Sequence, residues 1–316
     1  MAALIAVTLG TLSFGDSGIT PGDSLRAVFG VGDPGTLLVV RGWRLPRAVL
    51  GMILGALLAL SGALFQKVTR NPLGSPDVLG FSTGAFTGVL LSMTAGSVSV
   101  WALTASAFAG GLVATVIVLA LTARGGARGF ALIVTGIGVT AMLSAVNTVV
   151  VMRSDDLIAR SAAIWATGSL NGVDGAWVGP ATGMLVTTGF VTWLIRDRLA
   201  LQEFGDDRAS LVGARPGATR WIAMITGIAM LSMATAVSGP IAFIALAAPQ
   251  IARRLWRTGT IPLAASGLVG ALLLCVSDLL SARLLAPAIL PTGLVTLCLG
   301  GVYLAWMLTA RERTSS

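Results

Sequence analysis

The sequence of 316 residues is 55% apolar and only 11% charged, with a mean hydropathy of +0.89, which excludes a soluble protein and indicates a polytopic membrane protein. It contains no histidine, and its one lysine lies outside any GxxxxGK[ST] motif, so His-dependent catalysis, His-ligated metal sites and ATP hydrolysis by a phosphate loop are excluded. The net charge of +8 comes from basic residues scattered in small groups between apolar runs, which is typical of topology signals and not of nucleic-acid binding.

Apolar runs of about 20 residues, the length that crosses a bilayer, predict an all-α fold with about ten transmembrane helices in a single domain over residues 1–316. The first run, 2–14, is short for a complete span. A cleaved signal peptide is an alternative for this run, although it lacks the charged n-region of such peptides. The other runs are 46–66, 78–96, 99–121, 130–152, 176–195, 220–238, 242–255, 261–282 and 291–310.

The basic residues between these runs predict the orientation of the chain. With a cytoplasmic N-terminus, 14 of the 21 lysines and arginines fall on the inner side and 7 on the outer side. This bias follows the positive-inside rule, so we predict that both termini are cytoplasmic. The expected location is the cell (inner or cytoplasmic) membrane, with multiple passes.

Glycines recur every four residues on two of the predicted spans. Such stripes let helix backbones approach closely, and we favour this packing role over contact with a ligand. The glycines are Gly51 and Gly55 in the second run, and Gly80, Gly84 and Gly88 in the third.

Asp278 is the one acid deep inside a predicted span, where a carboxylate costs several kcal/mol unless it is paired or hydrated. Arg283 follows five residues later and projects from a different helical face, so an arginine on another helix is the better partner. We therefore predict a structural role for Asp278. Four further polar residues either line a pathway or form hydrogen bonds between helices: Ser144, Asn147, Thr148 and Asn171.

Two segments depart from the pattern of simple spans. Gly239, Pro240 and Pro249 interrupt the region of the run 242–255, which predicts a broken or re-entrant helix. The polar segment 196–220 carries four acids and five arginines, and it predicts a short helical hairpin on the cytoplasmic surface. This segment is either a solvated connector or a binding site for a partner protein.

Long motifs along nearly the whole chain resemble those of the FecCD family of ABC importer permeases. They lie in residues 44–84, which include RLPR and NPLGSPDVLGF, in SGPIAFIALAAPQIARRL at 238–255, and in 277–308, with WATGSL at 165–170 and FGDDRASLVG at 204–213. The resemblance implies the type II ABC importer permease fold and a dimer of permeases. It also implies an extracytoplasmic substrate-binding protein and two cytoplasmic ATPase subunits that bind ATP and Mg, with no cofactor and no metal in this subunit.

The family carries ferric siderophores, haem or cobalamin. NPLGSPDVLGF and LPTGLVTLCLGGVYL look most like the ferric enterobactin permease subgroup, whose two permease halves are different proteins. The resemblance thus implies a non-enzymatic permease subunit for a ferric siderophore of the catecholate type, in a heterodimer, with a homodimer as the alternative. Cobalamin or haem is the alternative cargo. A secondary transporter is a different class, supported only by the intramembrane charge of Asp278.

The resemblance assigns three arginines on the predicted outer side to docking of the binding protein. Arg44 and Arg47 bracket Leu45-Pro46, where the positive-inside rule disfavours cations, and Arg283 follows the ninth run. In the family, the matching arginines receive glutamates from the two lobes of the binding protein, a task that suits the fixed fork of a guanidinium. Interfacial snorkelling is the alternative for Arg44 and Arg47.

Two groups on the predicted inner side also match functional motifs of the family. Asn71 and Leu73 match the residues that narrow the cytoplasmic side of the pathway, where an apolar constriction can close by excluding water. A rigid turn that ends the helix is the alternative for this motif. The match to the segment that couples the permease to the ATPase comprises Gly205, Asp206, Ala209 and Gly213.

Overall fold

The computed structural model describes residues 7, 8, 10, 11, 19–97, 99–123, 129–203, 205–211, 215–285 and 290–312. Within these residues the chain forms helices and connecting turns, with no strand. Its α-helices are α1 (Pro21–Val28), α2 (Pro34–Leu37), α3 (Leu45–Thr69), α4 (Phe81–Thr94), α5 (Val100–Ala123), α6 (Gly129–Arg153), α7 (Asp156–Ala166), α8 (Val178–Gln202), α9 (Asp206–Leu211), α10 (Pro216–Ser238), α11 (Ile244–Leu255), α12 (Leu263–Ser281) and α13 (Thr292–Glu312). A π-helix, Leu38–Arg44, joins α2 to α3, and 3₁₀ turns form at Pro76–Leu79 and Gly175–Trp177.

The all-α polytopic fold predicted from the sequence is confirmed. Six helical segments of the described residues are long and apolar enough to cross a membrane: Pro34–Thr69, Val100–Thr122, Ala131–Arg153, Gly175–Gln202, Pro216–Ser238 and Leu263–Ser281. The third and eighth predicted runs form shorter helices, α4 with 14 residues and α11 with 12 residues, and α13 covers the tenth. Most of the first run, 2–14, and both chain termini lie outside the described residues.

The polar segment 196–220, predicted as a short helical hairpin, is divided between two long helices and the connection that joins them. Helix α8 continues to Gln202 and α10 begins at Pro216, so only the residues between them leave the long helices. The described part of this connection contains one short helix, α9, and not a hairpin. We call residues 203–211 the coupling segment. The end of the bundle that carries it, which the charge bias predicts to be cytoplasmic, is the inner end, and the opposite end is the outer end.

Helix α3 lies at the centre of the bundle. It packs against α8, α10, α11 and α12, and 15 of its 25 residues are buried. In the most apolar 18-residue stretch of each span, 72% is buried in both Pro34–Thr69 and Pro216–Ser238, but only 17% is buried in Ala131–Arg153. Helices α3 and α10 are therefore interior helices, whereas α6 presents an apolar face outward.

Glycines bring helix backbones into direct contact around α3 and α4. A Cβ atom on Gly62 would lie 1.7 Å from the carbonyl oxygen of Ala245 in α11, and one on Gly55 would lie 2.5 Å from that of Gly270 in α12. A Cβ atom on Gly88 in α4 would lie 2.0 Å from a backbone oxygen of α5. These separations leave no room for any side chain, which confirms the predicted packing role at Gly55 and Gly88.

The predicted break occurs at Gly239-Pro240, whereas Pro249 lies inside α11 and does not end that helix. Helix α10 ends at Ser238, and α11 begins only at Ile244. Between them Gly239 adopts φ 72°, and a Cβ atom there would lie 2.6 Å from the carbonyl oxygen of Trp165. A glycine is needed at this position both for the backbone conformation and for the close approach.

Candidate functional site

The outer end carries an open cavity of about 770 Å³ with arginines among its lining residues. The π-helix Leu38–Arg44 places Trp43 and Arg44 on one side, and the loop 170–175 forms another wall. Trp43 is 65% exposed. Because π-helical turns are frequent at functional sites, the deviation from α-helical geometry makes this rim a candidate site.

Arg47 holds Asp278 in a bidentate ion pair within the outer half of the bundle. Arg47 Nε donates to Asp278 Oδ2 and Nη2 donates to Oδ1, both at 2.9 Å. Thr292 Oγ1 also donates to Asp278 Oδ1, at 3.0 Å, and Arg47 Nη1 donates to Asn171 Oδ1 at 3.2 Å. The network joins α3, α12 and α13 to the loop after α7. It contains the partner that the sequence predicts for Asp278, an arginine of another helix.

Arg44 and Arg283 share the outer rim. Their guanidinium groups lie near enough for the two like charges to interact, with Arg44 half-buried and Arg283 exposed. Arg47 differs from them, because its fork points at Asp278 and only 25% of its side chain is exposed. The structure thus brings two of the three predicted docking arginines into one patch and places the third below it in an ion pair.

A second cavity, of about 600 Å³, opens beside α4 and α6. Its lining includes three of the polar residues singled out in the sequence, Ser144, Asn147 and Thr148. Asn147 is 4% exposed, and its Nδ2 donates to the carbonyl oxygen of Thr83 at 3.4 Å. Within the described residues its Oδ1 has no hydrogen-bond partner. Asn147 therefore joins two helices and retains an unused acceptor beside the cavity.

At the inner end, α3 stops at a residue with left-handed backbone geometry. Arg70 has φ 51° and ψ 30°, which is uncommon for a residue with a side chain. Asn71 then closes a turn, since its Oδ1 accepts the N–H of Leu73 at 2.9 Å and its carbonyl oxygen accepts the N–H of Gly74 at 2.9 Å. Leu73 is 53% exposed. Asn71 therefore stabilises the turn, whereas Leu73 offers an exposed apolar side chain at its tip.

In the coupling segment, the carboxylate of Asp206 faces the ends of the long helices. Asp206 forms ion pairs with Arg70 and with Arg220, the latter at 2.8 Å between Nη2 and Oδ2. Gly205 adopts φ 109°, a conformation that glycine permits, and Ala209 is 1% exposed. The fourth residue of the predicted coupling motif, Gly213, lies outside the described residues.

Two further contacts tie α3 to the inner end, and the sequence analysis missed both. Lys67 forms an ion pair with Glu203, and the Lys67 side chain is only 6% exposed. Gln250 Nε2 donates to Gln66 Oε1 at 2.6 Å, and Gln66 Nε2 donates to the carbonyl oxygen of Leu246 at 3.0 Å. The signal in the sequence is the pair Gln66-Lys67, which interrupts an apolar run before its helix ends.

Leu211 is a further residue of the inner end that was not predicted from the sequence. It ends α9 and is 87% exposed, although it is the only leucine in the polar stretch between α8 and α10. Leu211 therefore presents an apolar side chain at the surface of the inner end.

Comparison with known proteins gives four findings. A profile of the FecCD transport family matches residues 3–310. The ferric enterobactin transport system permease protein FepG of Escherichia coli (strain K12) is 42% identical over 87% of this chain and 84% of its own length. The hemin transport system permease protein HmuU of Yersinia pestis is 33% identical over 86% of this chain and 84% of its own length. A solved metal-chelate type ABC transporter in an inward-facing conformation matches with a TM-score of 0.86 at 23% identity, covering 98% of this chain and 97% of that one.

Proposed function

The chain belongs to the FecCD transport family and is a permease subunit of an ABC importer for iron chelates, and we propose that its cargo is a ferric siderophore of the catecholate, enterobactin-like class. The observation that carries this proposal is the 42% identity to FepG, against 33% to the hemin permease HmuU at nearly equal coverage. A permease of this kind works with an ATPase and a substrate-binding protein. In the proposed assembly, two ATPase subunits bind ATP and Mg, and this chain carries no cofactor.

Docking of the binding protein is proposed at the outer rim. Arg44 lines an open cavity, and Arg283 lies near enough for its charge to act on Arg44. Two positive charges at the outer rim favour the approach of carboxylates from a partner protein. Arg47 belongs to the same proposal, but its two strongest donors already engage Asp278. We therefore assign direct docking chiefly to Arg44 and Arg283, with Arg47 fixing the wall of the cavity through Asn171.

A second permease subunit is proposed to cover the outward face of α6. This helix is apolar but scarcely buried, and the 600 Å³ cavity with its polar lining lies beside it. Covering that face with a second permease would enclose the cavity between two subunits and create a path across the membrane. The subgroup favours a heterodimer over a homodimer. In this arrangement the chain lies in the inner membrane with both termini in the cytoplasm.

The inner end is proposed to receive the ATPase and to carry the cytoplasmic gate. The coupling segment, with exposed Leu211 and the glycine hinge at Gly205, would contact the ATPase. Leu73 would supply the apolar side chain of the gate, and Asn71 would hold the turn that presents it.

The test is uptake of labelled iron in cells that lack this gene and carry either the wild type or a docking variant. Ferric catecholate, ferric hydroxamate, haem and labelled cobalamin are supplied in parallel. We expect the wild type to restore catecholate uptake, and Arg44→Glu with Arg283→Glu to abolish it while the protein still inserts into the membrane. The matched control is Arg26→Glu, an exposed arginine of α1 away from the cavity lining.

Other outcomes of this experiment identify other functions. Restoration of haem or cobalamin uptake alone would keep the importer and refute the catecholate cargo. Uptake that continues without ATP hydrolysis would indicate a secondary transporter. For that alternative the structure offers little, because the intramembrane carboxylate of Asp278 is paired with Arg47.

A further inference from the structure

Two ion pairs connect the last turn of α3 to the coupling segment. Lys67 pairs with Glu203, and Arg70 pairs with Asp206. Lys67 lies in the last turn of α3 and Arg70 directly follows that helix, while Glu203 directly follows α8 and Asp206 begins α9. We call these two pairs the inner clamp.

The two pairs differ in their exposure to water. The side chains of Arg70 and Asp206 are 45% and 41% exposed, so this pair alone would contribute little. The Lys67 side chain is only 6% exposed and that of Glu203 is 28% exposed, so this pair is screened much less. Breaking it would leave a buried ammonium without its partner, which proteins tolerate poorly.

The inner clamp holds the end of α3, where the backbone leaves the helix. Arg70 has left-handed geometry at φ 51° and directly precedes the Asn71 turn that presents Leu73. Asp206 also binds Arg220, at 2.8 Å, which fixes the same carboxylate to the first turns of α10. A displacement of the coupling segment therefore displaces Arg70. Because Asn71 is the next residue of the chain, the turn that it closes is displaced as well.

We propose that the inner clamp makes the coupling segment and the turn at Leu73 move as one body, so that displacement of α9 is transmitted directly to the inner end of α3. This inference rests on the proposed function for the identity of α9 as the ATPase contact. Lys67 and Arg70 are positioning residues in it. They act through the geometry of the turn.

A charge exchange tests the clamp in the full complex with its ATPase, reconstituted in lipid vesicles. We expect Lys67→Glu and Glu203→Lys each to lower cargo uptake about tenfold, within the usual range of coupling between two sites, while ATP hydrolysis continues. Combining both substitutions restores the opposite charges and is expected to recover most of the uptake. The matched control is Asp197→Lys, which reverses an 86% exposed acid of α8 and is expected to change uptake less than about twofold.

Single reversals that transport like the wild type would overturn the proposal. So would a double variant that inserts and hydrolyses ATP but stays as defective as the single variants. A loss of ATP hydrolysis in parallel with uptake would also contradict it, because the clamp is assigned to transmission and not to recruitment of the ATPase.

A second measurement tests the clamp without any transport. Lys67 is the single lysine of the chain, so an amine-reactive label reports on it directly once the modified peptides are resolved from the N-terminus. In the purified permease, Glu203→Gln is expected to raise the labelling rate of Lys67 several-fold, and Asp197→Asn is expected to leave it unchanged. Equal rates in wild type and Glu203→Gln would overturn the clamp. If the wild type moved no iron chelate at all, the proposed function would fail while this measurement still decided whether the clamp forms.

Discussion

Removing Arg47 should destabilise the protein more than removing the carboxylate of Asp278. Asp278 has a side chain that is 8% exposed, and without Arg47 it would keep only the hydrogen bond from Thr292. Losing one partner of a buried ion pair costs about 3–5 kcal/mol because the other charge stays buried and uncompensated. We therefore expect Arg47→Met to lower the free energy of unfolding by an amount in that range.

Asp278→Asn should cost less because Arg47 retains other partners. The Arg47 side chain is 25% exposed, and Nη1 still reaches Asn171, so water and the amide can satisfy the guanidinium. The new asparagine also keeps an oxygen that can accept one hydrogen bond from Arg47. The expected loss is about 1–2 kcal/mol, the usual cost of a weakened hydrogen bond to a charged group. Replacing both residues, as Arg47→Met with Asp278→Leu, should recover much of the loss, because an apolar pair often substitutes for a buried ion pair.

The assay is reversible unfolding of the purified permease in mixed micelles, followed by tryptophan fluorescence for the wild type and the three variants. Thr292→Val serves as a control that removes one hydrogen bond and no charge. The reasoning would be refuted if Asp278→Asn were more destabilising than Arg47→Met, or if the double variant were no more stable than Arg47→Met alone. Equal stability of Arg47→Met and wild type would show that the pair is absent in the membrane protein.

Two further predictions concern packing and pH. Gly62→Ala should destabilise the protein by at least about 1–3 kcal/mol, because its Cβ would lie 1.7 Å from the carbonyl oxygen of Ala245. Gly183→Ala is the control, because a Cβ atom there would meet open space and should not destabilise the protein. The same unfolding assay compares the two variants. Hydrogen bonds from the Thr36 side chain and then its backbone N–H lower the pKa of Asp33, so the cap on α2 is fully formed above the usual aspartate range and is lost as pH falls through the lowered value. Limited proteolysis at residues 34–37 should therefore become faster as the pH falls in the wild type. In Asp33→Ala its rate should not depend on the state of this cap.

Composition and the length of the apolar runs were sufficient to predict the membrane fold, because each span is a local property of the chain. The amphipathic helix α7, from Asp156 to Ala166, escaped prediction because its 11 residues are too few and too polar to read as a span. The third span also proved shorter than its apolar run. Gly80 has φ 73° and ends the 3₁₀ turn there, so α4 begins only at Phe81.

The partners of the site residues could not be predicted, because they depend on how distant helices pack. The sequence indicates that Asp278 needs an arginine, but the one that reaches it is 231 positions away, on α3. The motif assigns Asp206 to the segment that couples the permease to the ATPase, and only the structure shows that its carboxylate binds Arg70 and Arg220 of the permease itself. Only the register between α3, α10 and the coupling segment decides these pairings.

Helix α3 connects the two ends of the proposed mechanism as one continuous helix. Arg44 directly precedes it at the outer rim and Arg70 directly follows it at the inner clamp, and its 25 residues span about 37 Å at 1.5 Å per residue. Between these ends, Gly55 and Gly62 meet the backbones of α12 and α11 without intervening side chains. Smooth glycine contacts let a helix shift as a rigid body, whereas interlocked side chains would hold it in place. We therefore expect a shift of α3 produced at one end to reach the other end through the helix itself, which is the property that a helix between a docking face and a gate requires.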